Sequence, residues 1–200
     1  MALTPEWRAR IIAFRDELRR QIIEPICEIA LEGFVTREHL DVAAARRGAF
    51  TPTPPGTAWG AKWEYGWFRG QLTVPQVAPG QRAVLRPDVG GESAVFLDGA
   101  LRGAQDLEHR EIPLHRLGPP GTQLELLIEA YAGHGPRPVH AGPTPPERLT
   151  VPEPGPTQTV VRGCALCLSH EETYQLWLDV EALLQLRDTL DPRSLRVSAI

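Results

Sequence analysis

Three cysteines in 200 residues are odd in number and too few for a disulfide framework. A reducing, cytosolic setting is therefore expected. No stretch reaches the roughly 18 consecutive apolar residues that cross a bilayer. The opening Met1-Ala2-Leu3-Thr4-Pro5-Glu6-Trp7-Arg8 puts charge where a signal peptide needs an apolar core, so no membrane association is expected. Charge of one sign is also lacking. The net charge is -4, and arginines are interleaved with Asp and Glu, which leaves no basic stripe for nucleic acid. Apolar content is not in short supply: 42% hydrophobic residues allow a real core and exclude a disordered chain.

What is present begins as a helix. Thr4 suits an N-cap, Pro5 the first helical position, and Glu6 the positive end of the dipole. Trp7, Ile11, Phe14, Leu18 and Ile22 then recur at helical spacing. Pro25 is expected to kink or end the helix and Gly33 to close the segment, giving an N-terminal helical region over residues 1–47. A cationic amphipathic helix can lie on a membrane, but the acidic residues within it favour packing on a domain.

A connector rich in Pro, Thr and Gly spans 48–57, and strand grammar follows. Phe68, Leu72 and Val74 share a face, Ala83 and Leu85 alternate with Val84 and Arg86, and Asp98-Gly99 between apolar runs signals a tight hairpin. Leu124, Leu126, Ile128 and Ala130 alternate with Gln123, Glu125, Leu127 and Glu129, the pattern of a half-buried strand. Short strands at this spacing predict a mainly β protein: an antiparallel β-sandwich of jelly-roll, galactose-binding-like type over 48–168, with flanking N- and C-terminal α-helices. Residues 133–156, dense in Pro and Gly, read as irregular and exposed. After a strand at 159–168, Ser169-x-x-Glu172 reads as a capping box opening a helix with Trp177, Val180 and Leu184 on one row and Leu176, Leu183 and Leu190 on another. Asp191-Pro192 starts a further helix that runs out of sequence, so either the chain is part of something longer or this end is frayed.

Three groups of residues invite chemistry. Trp63, Tyr65 and Trp67 fall on one face of a regular strand, as a sugar-stacking platform would. Burial in the core or in an interface is the favoured alternative. Asp106, Glu108 and His109, with Glu111, bring carboxylates and one imidazole together in a loop, as general acid/base work requires. A solvated loop is the favoured reading. Cys164-x-x-Cys167-x-x-His170 offers zinc donors but lacks a local fourth ligand; only Cys27 or His140, both distant, is at hand. Two buried cysteines on a strand are favoured, and no metal site is expected. Gly90-Gly91 has no helix after it and reads as a turn, not a phosphate cradle.

Residues 59–103 carry a wider pattern. Trp63-x-x-x-Trp67-Phe68-Arg69, a strand ending at Pro75, Gly80-x-x-x-x-Leu85 and Gly91-Glu92-x-x-Val95-Phe96-Leu97-Asp98-Gly99 are followed by the 103–109 loop and Leu124–Ala130. Together with Trp177-x-x-Asp179-x-x-x-Leu183 and Leu190-x-x-x-Ser194-x-Arg196, this order resembles the N-terminal region of family 38 α-mannosidases of the cytosolic or vacuolar type. The shorter Trp-Phe-Arg … Asp-Gly pattern also occurs in jelly-roll domains of β-galactosidase-like enzymes; the order of all the elements favours the α-mannosidase. The resemblance implies retaining hydrolysis of terminal α-mannosides, with a divalent metal, usually zinc, and a carboxylate pair about 5–5.5 Å apart. The family's His-x-His-x-Asp metal segment is absent, so no catalytic residue and no cofactor are expected in this chain. Residues 169–200 then read as a lead-in to a catalytic domain. That domain and a second copy of the chain are the expected partners, with mannose-containing glycans bound through the parent enzyme. The alternative is a stand-alone carbohydrate-binding module of jelly-roll type.

Overall fold

The computed structural model describes residues 4–135 and 155–190. In chain order the elements are α1 (Pro5–Gln21), β1 (Ile23–Glu28), β2 (Glu32–Thr36), α2 (Val42–Ala45), β3 (Thr51–Pro52), β4 (Ala58–Trp59), β5 (Tyr65–Thr73) and β6 (Gln81–Asp88). There follow β7 (Glu92–Leu97), β8 (Ala100–Gln105), β9 (Ile112–Pro113), β10 (Gln123–Tyr131), β11 (Thr159–Val160), β12 (Gly163–His170) and α3 (Glu171–Thr189). The chain divides into two compact units. One contains Met1–Pro25, Val77–Ala83 and Cys167–Ile200; the other contains Ile26–Gln76 and Val84–Leu166.

The larger unit is the expected antiparallel β architecture. Its main sheet has the order β3-β2-β5-β10-β7-β8, and β4 pairs with β11. Another sheet, not confined to this unit, has the order β1-β12-β6-β9. β5 lies at the centre of the main sheet because it is bonded on both sides: Phe34 faces Trp67 from β2, and Glu129 faces Trp67 from β10. Alternation then sends successive side chains to opposite faces. Phe68, Leu72, Leu126, Ile128, Val95 and Leu97 share one face and are buried. Gly33, Gly66 and Gly70 make that face possible, since a Cβ on any of them would come within 2.7–2.8 Å of Phe68 or Ile29. Trp59 packs edge-on against Phe68 and donates its indole N–H to the Val89 carbonyl at 2.6 Å.

The opposite face of the sheet carries Trp67, Leu127 and Phe96, and it too is covered. Ala45, Phe34, Leu40, Val42 and Phe50 pack there, so residues 34–50 form a cap over part of the sheet. Asp41 caps α2 by accepting from the Ala44 N–H, and Arg46 pairs with Glu125 on β10, which ties the cap down. This cap is why β10, read from sequence as half-buried, is buried on both sides: Leu126 is 0% and Leu127 is 1% exposed.

The Asp98-Gly99 hairpin forms as expected. Both residues have positive φ, 48° and 81°, as a two-residue turn of matching twist demands. The connector at 48–57 is less irregular than its composition suggests, because Thr51–Pro52 forms β3 on the free edge of β2. The expected single strand at 159–168 is two strands, β11 and β12, separated by a short break that ends at Gly163, whose φ is +141°.

In the smaller unit, Thr4 caps α1 by accepting from the Trp7 N–H. The helix stops at Gln21, ahead of Pro25, and the chain turns into β1, so the helical reading of residues up to Gly33 is corrected. Pro25 tolerates a strand but not a helix interior. α3 lies against α1, with Arg8 on Asp188 at 2.5 Å and Arg15 on Glu181 at 3.1 Å. Its cap is also corrected: the N-cap is His170, without a side-chain cap bond, and Ser169 is still in β12. The His170 N–H donates to the Ile22 carbonyl, and this strand pairing holds the position a capping box would have taken. The segment 136–154, the helix start at Asp191-Pro192, and Ser194, Arg196 and His140 lie outside the described residues.

Phe68→Ala should remove about 3–5 kcal/mol of stability through lost transfer energy and the cavity left behind. Urea unfolding followed by tryptophan fluorescence measures it; a loss under about 1 kcal/mol would contradict this account of the core.

Candidate functional site

The cap formed by residues 34–50 leaves part of its sheet face open. The register places Tyr131 opposite both Tyr65 on β5 and Glu92 on β7, with Glu129 one alternation along on the same face. Ala94 and Ala104 keep the floor low there, and the result is an open cavity of about 540 Å³. Its wall is a stacked ring pair, Tyr65 and Tyr131, with centroids 4.7 Å apart and planes 29° apart. The His39 ring lies tilted beside Tyr65, with centroids 5.6 Å apart.

The opposite wall comes from the end of β8 and the loop after it. Ser93, buried, donates to Gln105 Oε1 at 3.0 Å, and Gln105 Nε2 donates to the Asp106 carbonyl. Asp106 Oδ1 accepts from the backbone N–H groups of Glu108 at 2.8 Å and His109 at 2.6 Å, and the His109 ring nitrogen lies 3.1 Å away. These bonds, the His109 N–H first, hold the Asp106 carboxyl below its ordinary range. Glu129 is shifted the other way: burial raises its pKa, and the nearby His39, 3.8 Å away, only partly offsets this.

The sequence-predicted residues therefore regroup. Tyr65, Asp106 and His109, assigned from sequence to two separate groups, line one cavity. Trp63 and Trp67 do not join Tyr65 in a platform. Trp63 sits in a turn with φ +63°, outside β5, and its ring meets His134 edge-on. Trp67 is 1% exposed and stacks on Phe96 beneath the cap. Trp63 falls outside the alternation because β5 begins only at Tyr65, whereas Trp67 keeps the face of Tyr65 but is buried under the cap, as the favoured reading expected. Glu108 is exposed and outside the cavity lining, and Glu111 is taken by Arg86 at 3.2 Å. Glu129 and Tyr131 were missed, although they are the outward members of the alternating run 123–131 and the same alternation would have found them.

Among the described residues, no group of three His, Cys, Asp or Glu side chains is placed to hold a metal. Cys164 and Cys167 stand three apart on one strand, so they point to opposite faces and cannot converge on an ion. His170 instead lies 3.0 Å from Glu24. The Asp106–His109 pair is satisfied within its own loop.

A family model described as the jelly roll domain of α-mannosidase matches residues 28–149. The chain belongs to that family. Within it, α-mannosidase 2C1 of Homo sapiens is 28% identical over 171 residues, which is 84% of this chain but 16% of that protein. The Mus musculus protein of the same name is 36% identical over 89 residues, covering 44% of this chain and 9% of the relative. This α-mannosidase-type chain thus spans only a small fraction of the length of its relatives. Among solved structures, a β-glucuronidase of Faecalibacterium prausnitzii overlays 76% of this chain and 32% of its own at 14% identity, with a TM-score of 0.44, too low to support any conclusion.

Of the cavity's carboxylates, Asp106 is shifted down and Glu129 up, and the upward shift has a consequence for stability. For Glu129 the folded pKa lies above the unfolded one, so the native state holds the extra proton between them, and stability falls as pH rises through that interval. Glu129→Gln removes this liability. The variant should be more stable than the parent at pH 7, and the difference should shrink toward pH 4; denaturant midpoints at several pH values give the comparison. An unchanged difference across that range would rule out burial of the charge as its cause.

Proposed function

We propose that this chain is the non-catalytic N-terminal β-sandwich portion of an α-mannosidase. Hydrolysis of terminal α-mannosides, and the divalent metal it uses, then belong to a catalytic domain outside these residues. The observation that carries the proposal is the jelly roll match over 28–149 in a chain covering 16% of the human relative. Within the loop after β8, the Asp106 carboxylate is already met by backbone N–H groups and by the His109 ring. The odd cysteine count supports a cytosolic setting for the whole protein.

The role of the portion itself is that of a scaffold and interface. Support comes from the helices of the smaller unit. Leu176, Leu183 and Leu186 are 44%, 51% and 48% exposed on α3, and Trp7 and Phe14 are 52% and 49% exposed on α1. The leucines line one side of α3, away from the row of Glu181, Leu184 and Asp188 that faces α1. Large apolar residues gathered this way mark contact surfaces. Residues 169–190 then serve as the lead-in to the catalytic domain, which covers this side of α3.

Two measurements test the proposal. The chain alone should release no product from an aryl α-mannoside with or without added zinc, and turnover lost on Asp106→Asn would overturn the non-catalytic assignment. Alone in solution it should self-associate with rising concentration, and Leu183→Glu with Leu186→Glu should reduce that association. A parent chain that sediments as a monomer and binds no apolar dye would remove the interface role.

A further inference from the structure

We infer that the cavity between the Tyr65–Tyr131 stack and the Asp106 loop is an accessory binding site for a neutral polyhydroxylated ligand, a hexopyranose unit of a glycan. The inference goes beyond the scaffold role, which makes no use of this face. The cavity lies on the part of the main sheet that the cap formed by residues 34–50 leaves uncovered, well apart in sequence from the exposed leucines of α3.

Chemistry selects the ligand class by elimination. No Lys or Arg lines the cavity, so an anion would meet Glu92, Asp106 and Glu129 without compensation. A cation gains less than the carboxylate count suggests. Asp106 is already met by two backbone N–H groups and the His109 ring, and Glu129 has His39 at 3.8 Å. What remains is a set of acceptor-rich hydrogen-bonding groups beside an aromatic wall, which suits a neutral ligand rich in hydroxyl donors. Two phenol hydroxyls can donate or accept, and carboxylate oxygens accept. A pyranose offers hydroxyl donors around its edge and an apolar C–H face for a tyrosine ring. A volume of about 540 Å³ falls within the range of small-ligand sites, with room for roughly a mono- or disaccharide.

The site is also built rigidly on one side. Tyr65 and Tyr131 are direct partners in the β5–β10 ladder, and Glu129 sits on the same strand. On the other side Ser93, Gln105 and Asp106 form a continuous hydrogen-bonded chain. Gly91 shapes the rim: its φ is +75°, and a Cβ there would lie 2.6 Å from the Tyr131 carbonyl oxygen. Glycine thus lets the chain pass close to the ring-bearing strand.

The test is calorimetric or NMR titration of the chain with methyl α-mannoside and with mannobiose, alongside inorganic phosphate and arginine at the same concentrations. Saturable sugar binding in the millimolar range is expected, with none for phosphate or arginine. Glu129→Gln should weaken sugar binding about tenfold, the loss of one good hydrogen bond to a charged group. The same variant is expected to be more stable at neutral pH, so its weaker binding will not be a folding defect. Tyr131→Phe, which keeps the ring, should weaken binding less than Tyr131→Val, which removes the stack. Absence of saturation with both sugars, arginine binding in place of sugar, or unchanged affinity in Glu129→Gln and Tyr131→Val would each overturn the site. Turnover of an α-mannoside would sink the non-catalytic role and leave this cavity standing; failure to bind sugar would do the reverse.

Discussion

The larger unit depends on two adjacent rings of β5 being buried on opposite faces of one sheet. Trp67 and Phe68 are each 1% exposed. Neighbours on a strand cannot share a face, so burying both demands a layer on each side of the sheet. One layer comes from the face that Phe68 shares with Leu126 and Ile128, and the other from the cap formed by residues 34–50. Each buried ring of this size contributes a few kcal/mol, which makes the sandwich and its cap mutually dependent. The glycines at 33, 66 and 70 follow from the same constraint, because only their missing side chains leave space around Phe68 and Ile29.

The cavity is a by-product of that arrangement. The cap covers Trp67 and Leu127 but stops before Glu129 and Tyr131, where the sheet face opens. A carboxylate placed just beyond the covered zone is partly desolvated, which raises its pKa, whereas the loop carboxylate of Asp106 is solvated and bonded, which lowers it. Two acids on the walls of one concavity are thus driven apart by position alone. Both lie within the stretch matched by the jelly roll domain model, residues 28–149.

Much of this was legible in the residues. Alternation in 123–131, the Asp98-Gly99 hairpin and the Thr4-Pro5-Glu6 start all formed where local chemistry put them. The misses share a cause. Trp63, Tyr65 and Trp67 look equivalent at spacing two, yet the strand starts at Tyr65, and which face the cap would cover was not written in that segment. Ser169-x-x-Glu172 fits a capping box, but β12 continues through Ser169 and His170 because its backbone has a partner at Ile22. Pro25 was read as a helix breaker and sits instead in a strand, four residues after the helix had ended.

By itself the sequence determined the class of fold, the family resemblance, and the absence of the His-x-His-x-Asp segment, since each rests on residue type and short-range spacing. Tertiary structure alone decided that Tyr65 would stand beside Tyr131 and across from Asp106 and His109. Tyr65 and Tyr131 come from β5 and β10, Asp106 and His109 from the loop after β8, and the β5–β10–β7–β8 register brings them together. That register is chosen by the burial of Trp67, Phe68, Leu126 and Leu127 together. A one-residue slip would turn every one of them to the wrong face, a cooperative condition no single segment can express.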